Sequence, residues 1–207
     1  MNRSPSTHSM WLALIPFLLG LGMGGKNLVR NGDFERFTGG EPVGWETTNI
    51  PNMLAVVSQS TDSHSGKYAV RCEVKDFHGT KMAGMLCLKD VSVSGTSLQM
   101  KGFYVLHPVG NDVGFVSVSF KNESSAAIGS MEEVLSKGAE KYLPFSRETK
   151  IPETATKMDV HLTLLAGKGN DNVHEGSYML PSMRSTSWSI WPRGRSRPGR
   201  ATCCATA

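Results

Sequence analysis

The sequence predicts an all-β protein, an antiparallel β-sandwich of the jelly-roll kind, and three observations predict it. From Asn27 onward, apolar and polar side chains alternate with period two in one run after another, the pattern of strands with one face buried and the other wet. The runs are short and closely spaced, with Gly, Asn, Asp and Ser clustered between them. Helical periodicity is nearly absent, and only residues 131–135 ("MEEVL") suggest a helical turn. Many short strands with polar turns, and no helices to cover a parallel sheet, leave stacked antiparallel sheets as the way to bury the apolar faces.

Strands are expected at 28–30, 54–58, 68–75, 84–93, 97–107, 114–121, 142–151 and 157–165. In 97–107, Leu98, Met100, Tyr104 and Leu106 share the apolar face, which turns Gln99, Lys101, Phe103 and His107 the other way. In 114–121, Val116, Val118 and Phe120 point inward, leaving Phe115, Ser117 and Ser119 outside. In 157–165, Met158, Val160, Leu162 and Leu164 oppose Asp159, His161 and Thr163. The same count makes Phe103 and Phe115 outward aromatics on polar faces, which is where a binding surface would be sought. Residues 166–171 ("AGKGND") lack phosphate-loop spacing and read as a hairpin turn.

Residues 1–25 read as a secretory signal. An apolar core at 10–21 follows Arg3 and precedes small residues, and it is too short, and too interrupted by Pro16, to span a bilayer. The expectation is a secreted or cell-surface chain with no membrane partner. Gly20, Gly22 and Gly25 spell a loose GxGxxG, but no strand precedes them, so they carry no dinucleotide loop. Residues 26–181 form the body, long enough for one domain with a continuous core.

Residues 182–207 differ in character, with five arginines, no acid and no apolar period. They read as a disordered basic tail, and two origins are open. One is a frameshift near 178–181 that replaced the last strand, since plausible codons for this stretch read in a shifted frame yield an acidic, apolar strand. The other is a genuine basic tail. The chain has 207 residues, 22 basic and 18 acidic, for a net charge of +4. Arg3 and the five tail arginines account for that excess, and the remaining 16 basic residues against 18 acids leave the body at about −2. Such a body has no electrostatic reason to bind nucleic acid.

Of four cysteines, Cys203 and Cys204 lie in the tail. Cys72 and Cys87 fall on predicted strands flanking a turn near Gly79, so they are either partners across a hairpin or two small buried thiols. There is no CxxC, HExxH or zinc-ligand spacing.

Three stretches carry a resemblance. "NLVRNGDFERFTGGEPVGW" (27–45), "DSHSGKYAVRCEV" (62–74) and "KYLPFSRETKIPETATKMDVHLTL" (141–164) follow one another as in carbohydrate-binding modules of families 4, 9 and 22. The likeness runs over residues 27–178. It implies a galactose-binding-like jelly roll with a glycan cleft on one sheet, a structural role for Trp45, and often a structural calcium near the chain ends. The positions corresponding to calcium ligands are the Glu35 carboxylate and the main-chain carbonyls of Asp33 and Lys67, with the acid of the family's last strand missing. His161 matches a ligand-contacting position, while Met82 stands where related modules carry a binding Trp.

Sugar recognition uses an aromatic plate flanked by a few polar groups, so the candidate site is Phe103 and Phe115 with Lys101, Asp159 and His161. The expected role is a non-catalytic, monomeric module holding a polysaccharide such as a β-glucan or xylan. A structural or adhesion sandwich without a glycan site is the alternative. An enzyme ranks last, because the acids are dispersed and no nucleophile, base and orienter group together.

Overall fold

A computed structural model of the chain describes residues 27–188, with the backbone alone over 184–188. The expected signal at 1–25, and the tail from 189 onward, lie outside the described residues. Among the described residues every regular element is a strand: β1 (Phe37–Thr38), β2 (Glu41–Pro42), β3 (Glu46–Thr47), β4 (Val57–Ser60), β5 (Ala69–Phe77), β6 (Thr80–Ala83), β7 (Leu86–Ser92), β8 (Ser97–His107), β9 (Val113–Lys121), β10 (Ala127–Leu135), β11 (Ala139–Lys150), β12 (Lys157–Leu165) and β13 (Tyr178–Trp188). They form two antiparallel sheets. One has the order β10-β9-β12-β7-β3, the other β11-β8-β13-β5-β4 with β6 added beside β5. The all-β sandwich expectation holds.

Alternation decides what lies between the sheets. Leu98, Met100 and Leu106 of β8 are 1% exposed or less, as are Val116, Val118 and Phe120 of β9 and Met158, Val160, Leu162 and Leu164 of β12. These are the inward faces that the sequence pattern predicts. Gly102 sits on the inward face of β8 because the Phe145 ring occupies its place: a Cβ there would lie 2.5 Å from that ring. Tyr104 then meets Phe145 edge to face, with ring centroids 6.3 Å apart.

The opening stretch caps one end of the core. Asn31, buried and at φ 49°, accepts the Arg36 N–H at 3.0 Å and donates its amide to the Arg36 and Val43 carbonyls. An Asn tolerates this left-handed backbone and satisfies the turn's polar groups itself. Trp45 is 6% exposed, packs 5.2 Å from Phe34 and donates its indole N–H to the Arg30 carbonyl at 3.1 Å. It is a core residue, as the resemblance implies.

Two expectations are corrected, and the alternative left open for the cysteines is decided. Residues 131–135 are not a helical turn but part of β10, paired with β9 from Ala127 to Leu135. Met131 and Leu135 reach the core, and Glu133 between them faces Arg147 of β11, a spacing of two rather than of three and four. Cys72 and Cys87 do not face each other across a hairpin. The β5 hairpin partner is β6, and β7 crosses to the other sheet, so the reading as two small buried thiols holds and both cysteines are free.

The second correction concerns the end of the body. The chain does not leave the fold at Pro181: β13 continues to Trp188, paired residue by residue with β8 from Tyr178↔His107 to Trp188↔Ser97. Its pairing with β5 stops after Met179↔Cys72, and Pro181 explains why. The Met183 N–H donates at 2.7 Å to the Gly32 carbonyl, on the side away from β8. Position 181 has the same parity, so the donor that proline lacks falls on that side too, and the β8 ladder is unbroken.

Candidate functional site

The five sequence-predicted glycan residues do not share a surface. Phe103 and Lys101 lie on β8 in the six-stranded sheet, whereas Phe115, Asp159 and His161 lie on β9 and β12 in the five-stranded one. All five point away from the interior, on opposite outer faces of the sandwich. Alternation assigns a side chain to the inside or outside of its own sheet, but not to one sheet or the other. Here β8 and β9, consecutive in sequence, cross between sheets.

The face carrying Phe103 is covered. The segment between β4 and β5 folds over it, so the His64 ring stacks on Phe103 at 3.7 Å, nearly parallel at 13°. Tyr142 meets His64 edge-on and donates its hydroxyl to the Asp62 carbonyl at 2.9 Å. Burial pushes the Tyr142 phenol up to about 12, with the Asp62 charge adding to it. Further along this face, Val105 and Leu180 are 2% exposed or less although they point outward. Beside them His107, Tyr178 and Arg71 stack in series, at 4.4 and 3.5 Å. Phe103 is thus a buttress for a strap, and Lys101 stands exposed beyond it.

The outer face of the five-stranded sheet is different. Cross-strand pairing sets Val134, Phe115 and Thr163 in one row, and Glu132, Ser117, His161, Cys87 and Glu46 in the next. A third row holds Ser130, Ser119 and Asp159. Phe115 is half-buried at the apolar end, with Val134 and Leu165 exposed beside it. The middle row offers hydroxyl, imidazole, thiol and carboxylate. Opposite partners in a strand pair lie about 5 Å apart, so each row is a short polar track leading off the aromatic ring.

Apart from Glu132, the acids of these rows are paired. Asp159 accepts Lys121 at 2.5 Å and the Asp90 N–H at 3.0 Å. Burial works to raise its carboxyl, but these hydrogen bonds outweigh it and hold the group below its ordinary value. The same bond raises Lys121. Lys89 reaches Glu46 at 2.6 Å, and Lys157 lies 3.8 Å from Asp90. Asp159 is therefore a support for β7 and β9, not a free acceptor.

Ser117, Glu132, Val134 and Leu165 were not singled out from the sequence. The signal for Ser117 and Leu165 lies in the alternation of their own strands. For Glu132 and Val134 the helical reading of 131–135 hid it. Met82, half-buried on β6, places a flexible thioether where related modules have a Trp.

The calcium positions show another chemistry. Both Glu35 oxygens accept the Lys67 N–H, at 2.9 and 3.1 Å, and one also accepts that of Tyr68 at 3.1 Å. The carboxylate lies against Gly66, whose φ of 82° and crowded Cβ position both call for glycine. Asp33 is exposed. Among the described residues no group of three or more His, Cys, Asp or Glu side chains is placed to hold a metal. The set that the resemblance implies also draws on the main-chain carbonyls of Asp33 and Lys67, and the Glu35 carboxylate here accepts backbone N–H groups. In this way Glu35 clamps the 66–68 turn to the N-terminal segment.

No protein-family model and no curated protein matches the chain. Solved structures do match, at the level of fold. The xylan-binding CBM22-1 domain of Paenibacillus barcinonensis Xyn10C superposes with a TM-score of 0.51 at 13% identity, covering 81% of this chain and 97% of that one. The module TmCBM61, solved with β-1,4-galactotriose, gives 0.50 at 12% identity over 79% of this chain and 100% of its own. The enzymatically active domain of bacteriophage CBA120 tailspike protein 4 gives 0.57 at 12% identity over 77% of this chain, which spans about a fifth (21%) of the tailspike chain. The fold is that of β-sandwich carbohydrate-binding modules.

Proposed function

We propose that this chain is a non-catalytic carbohydrate-binding module of the family 4, 9 and 22 type, acting in a secreted or cell-surface protein. It takes a polysaccharide such as a β-glucan or xylan across the outer face of the five-stranded sheet. The observation that carries the reading is the row structure of that face: Phe115 offers an apolar ring, and Ser117, His161 and Glu132 stand one row away to read hydroxyls. The strap over Phe103 leaves this as the open face of the sandwich. Two solved structures of the same fold are named for binding xylan and a galactotriose.

The charge pairing supports a binding role over hydrolysis. Glycoside cleavage uses two carboxylates flanking the bond, whereas Glu132 is the one acid in the three rows that makes no ion pair or hydrogen bond among the described residues.

Affinity electrophoresis in gels containing soluble β-glucan, xylan or galactan tests the reading. Retardation of the wild type, weakened on the order of tenfold in Phe115→Ala and kept in Phe103→Ala, is the expected result. Uniform mobility in every gel would favour a structural or adhesion sandwich. Release of reducing ends by the purified protein would overturn the non-catalytic part.

A further inference from the structure

In the middle row of the open face, the thiol of Cys87 on β7 stands 3.8 Å from Nε2 of His161 on β12. The two residues are direct partners in the β7–β12 ladder, so the contact is set by register, not by a mobile loop. Among the described residues His161 makes no other polar contact. Its β9 neighbour is Ser117, and Asp159, two residues away on the same face, is occupied by Lys121 and the Asp90 N–H.

The ring is engaged at Nε2 and half-buried on the outer face, with no hydrogen-bond partner at Nδ1 among the described residues. Cys87 is 4% exposed, and burial raises its thiol above the ordinary value, with the charge of Asp159 adding to the effect. It therefore keeps its proton and can donate it to an unprotonated Nε2. A neutral imidazole holds one proton, on the nitrogen that does not accept.

We propose that Cys87 is a positioning residue that selects the neutral tautomer of His161 with the proton on Nδ1, so that the ring offers the open face an N–H donor for a sugar oxygen. The ligand half of this inference rests on the carbohydrate reading; the tautomer half does not. An Nε2–H ring would present a bare Nδ1 and ask the ligand for a donor instead. Hydroxyls can give or take, but ring and glycosidic oxygens can only accept. The thiol thus tilts the site toward ligands whose oxygens accept at this row, the acceptor-only ether oxygens of a glycan backbone among them.

The test is the imidazole 15N spectrum of the full chain at about pH 8.5, two units above the ordinary imidazole value. It is recorded for the wild type, Cys87→Ala and Cys87→Ser. The expected result is a majority Nδ1–H signature in the wild type, lost in Cys87→Ala and regained in Cys87→Ser, whose hydroxyl also donates. A majority Nε2–H signature in the wild type, or an Nδ1–H signature unchanged in Cys87→Ala, would overturn the proposal. Thermal melts confirm that the three proteins fold alike.

The same three proteins run in the xylan, β-glucan and galactan gels give the second readout. Cys87→Ala is expected to bind about threefold to tenfold more weakly, the loss of one oriented hydrogen bond, with Cys87→Ser near wild type. Equal retardation of all three would remove the tautomer's role in binding. Retardation of none would sink the carbohydrate reading while leaving the tautomer result in place.

Discussion

At the scale of single residues, Asp159 ties three strands of the open face together. Its carboxyl is held below its ordinary value of 3.8, so the stabilisation is fully present above that value and is lost as pH falls through the depressed one. Lys121 is raised above 10.5, so its share persists below 10.5 and is lost as pH rises through the raised value. The pair supports the fold across the neutral range between those limits. Asp159→Asn is expected to cost about 1–2 kcal/mol there, from the weakened hydrogen bonds to Lys121 and the Asp90 N–H. Urea melts at several pH values should show that deficit shrinking below about pH 4; a deficit independent of pH would mean the ion pair contributes nothing.

Glu35 makes the second residue-scale prediction. Two backbone N–H groups, those of Lys67 and Tyr68, converge on its carboxylate, and Glu35→Ala would leave them without their acceptor. A loss of about 1–3 kcal/mol is expected. EDTA should leave the melting temperature of the wild type unchanged, since both carboxylate oxygens are engaged by N–H donors. A drop of several degrees on chelation would show that these residues hold a cation.

At the scale of elements, alternation within a strand was legible and the partnership between strands was not. The inward sets of β8, β9 and β12 follow from a count of two, because burial of one face selects apolar residues at every second position. Which sheet a strand joins depends on crossings that leave no mark in its own residues. That is why Phe103 and Phe115 read alike in sequence and stand on opposite faces. β10 shows the complementary failure. As an edge strand it buries only Met131 and Leu135 fully, and "MEEVL" carries too little apolar signal to show a period.

The edges themselves are guarded. Glu133 of β10 and Arg147 of β11 lie 3.8 Å apart at the sandwich margin, and inward-pointing charges on edge strands discourage pairing with another chain. Replacing both by Val is expected to favour self-association, read by light scattering. A monodisperse double variant would show that the bulges in β10 and β11 suffice. Within β8, Gly102→Ala would force apart the Ser182 carbonyl and the Phe145 ring. The expected cost is about 1–3 kcal/mol, measured by denaturant melts.

At the scale of the whole molecule, β13 closes the six-stranded sheet between β8 and β5. A chain stopped after Pro181 would lose the strand from Ser182 to Trp188 and with it the buried Met183, leaving the ladder edge of β8 open. It is expected to express insolubly or melt without cooperativity, whereas a chain stopped after Trp188 keeps every described strand. Equal cooperative melts from both would make the extra strand dispensable. The proposal of a frameshift near 178–181 concerns the coding DNA, and its sequence tests it: an intact frame through Trp188 matches the paired strand, and a shifted one would supply a different β13.

By itself, the sequence determined that the body of this chain is built of β-strands and that the alternating apolar residues of β8, β9 and β12 face a common interior. These are local properties, set by periods of two and by residues that satisfy their own turns. Only the tertiary structure decided that Phe103 is covered and Phe115 open, that Glu35 serves N–H donors, and that Cys87 meets His161. Those facts depend on which distant strands become neighbours, and that is settled by the joint burial of both sheets, which no single strand encodes.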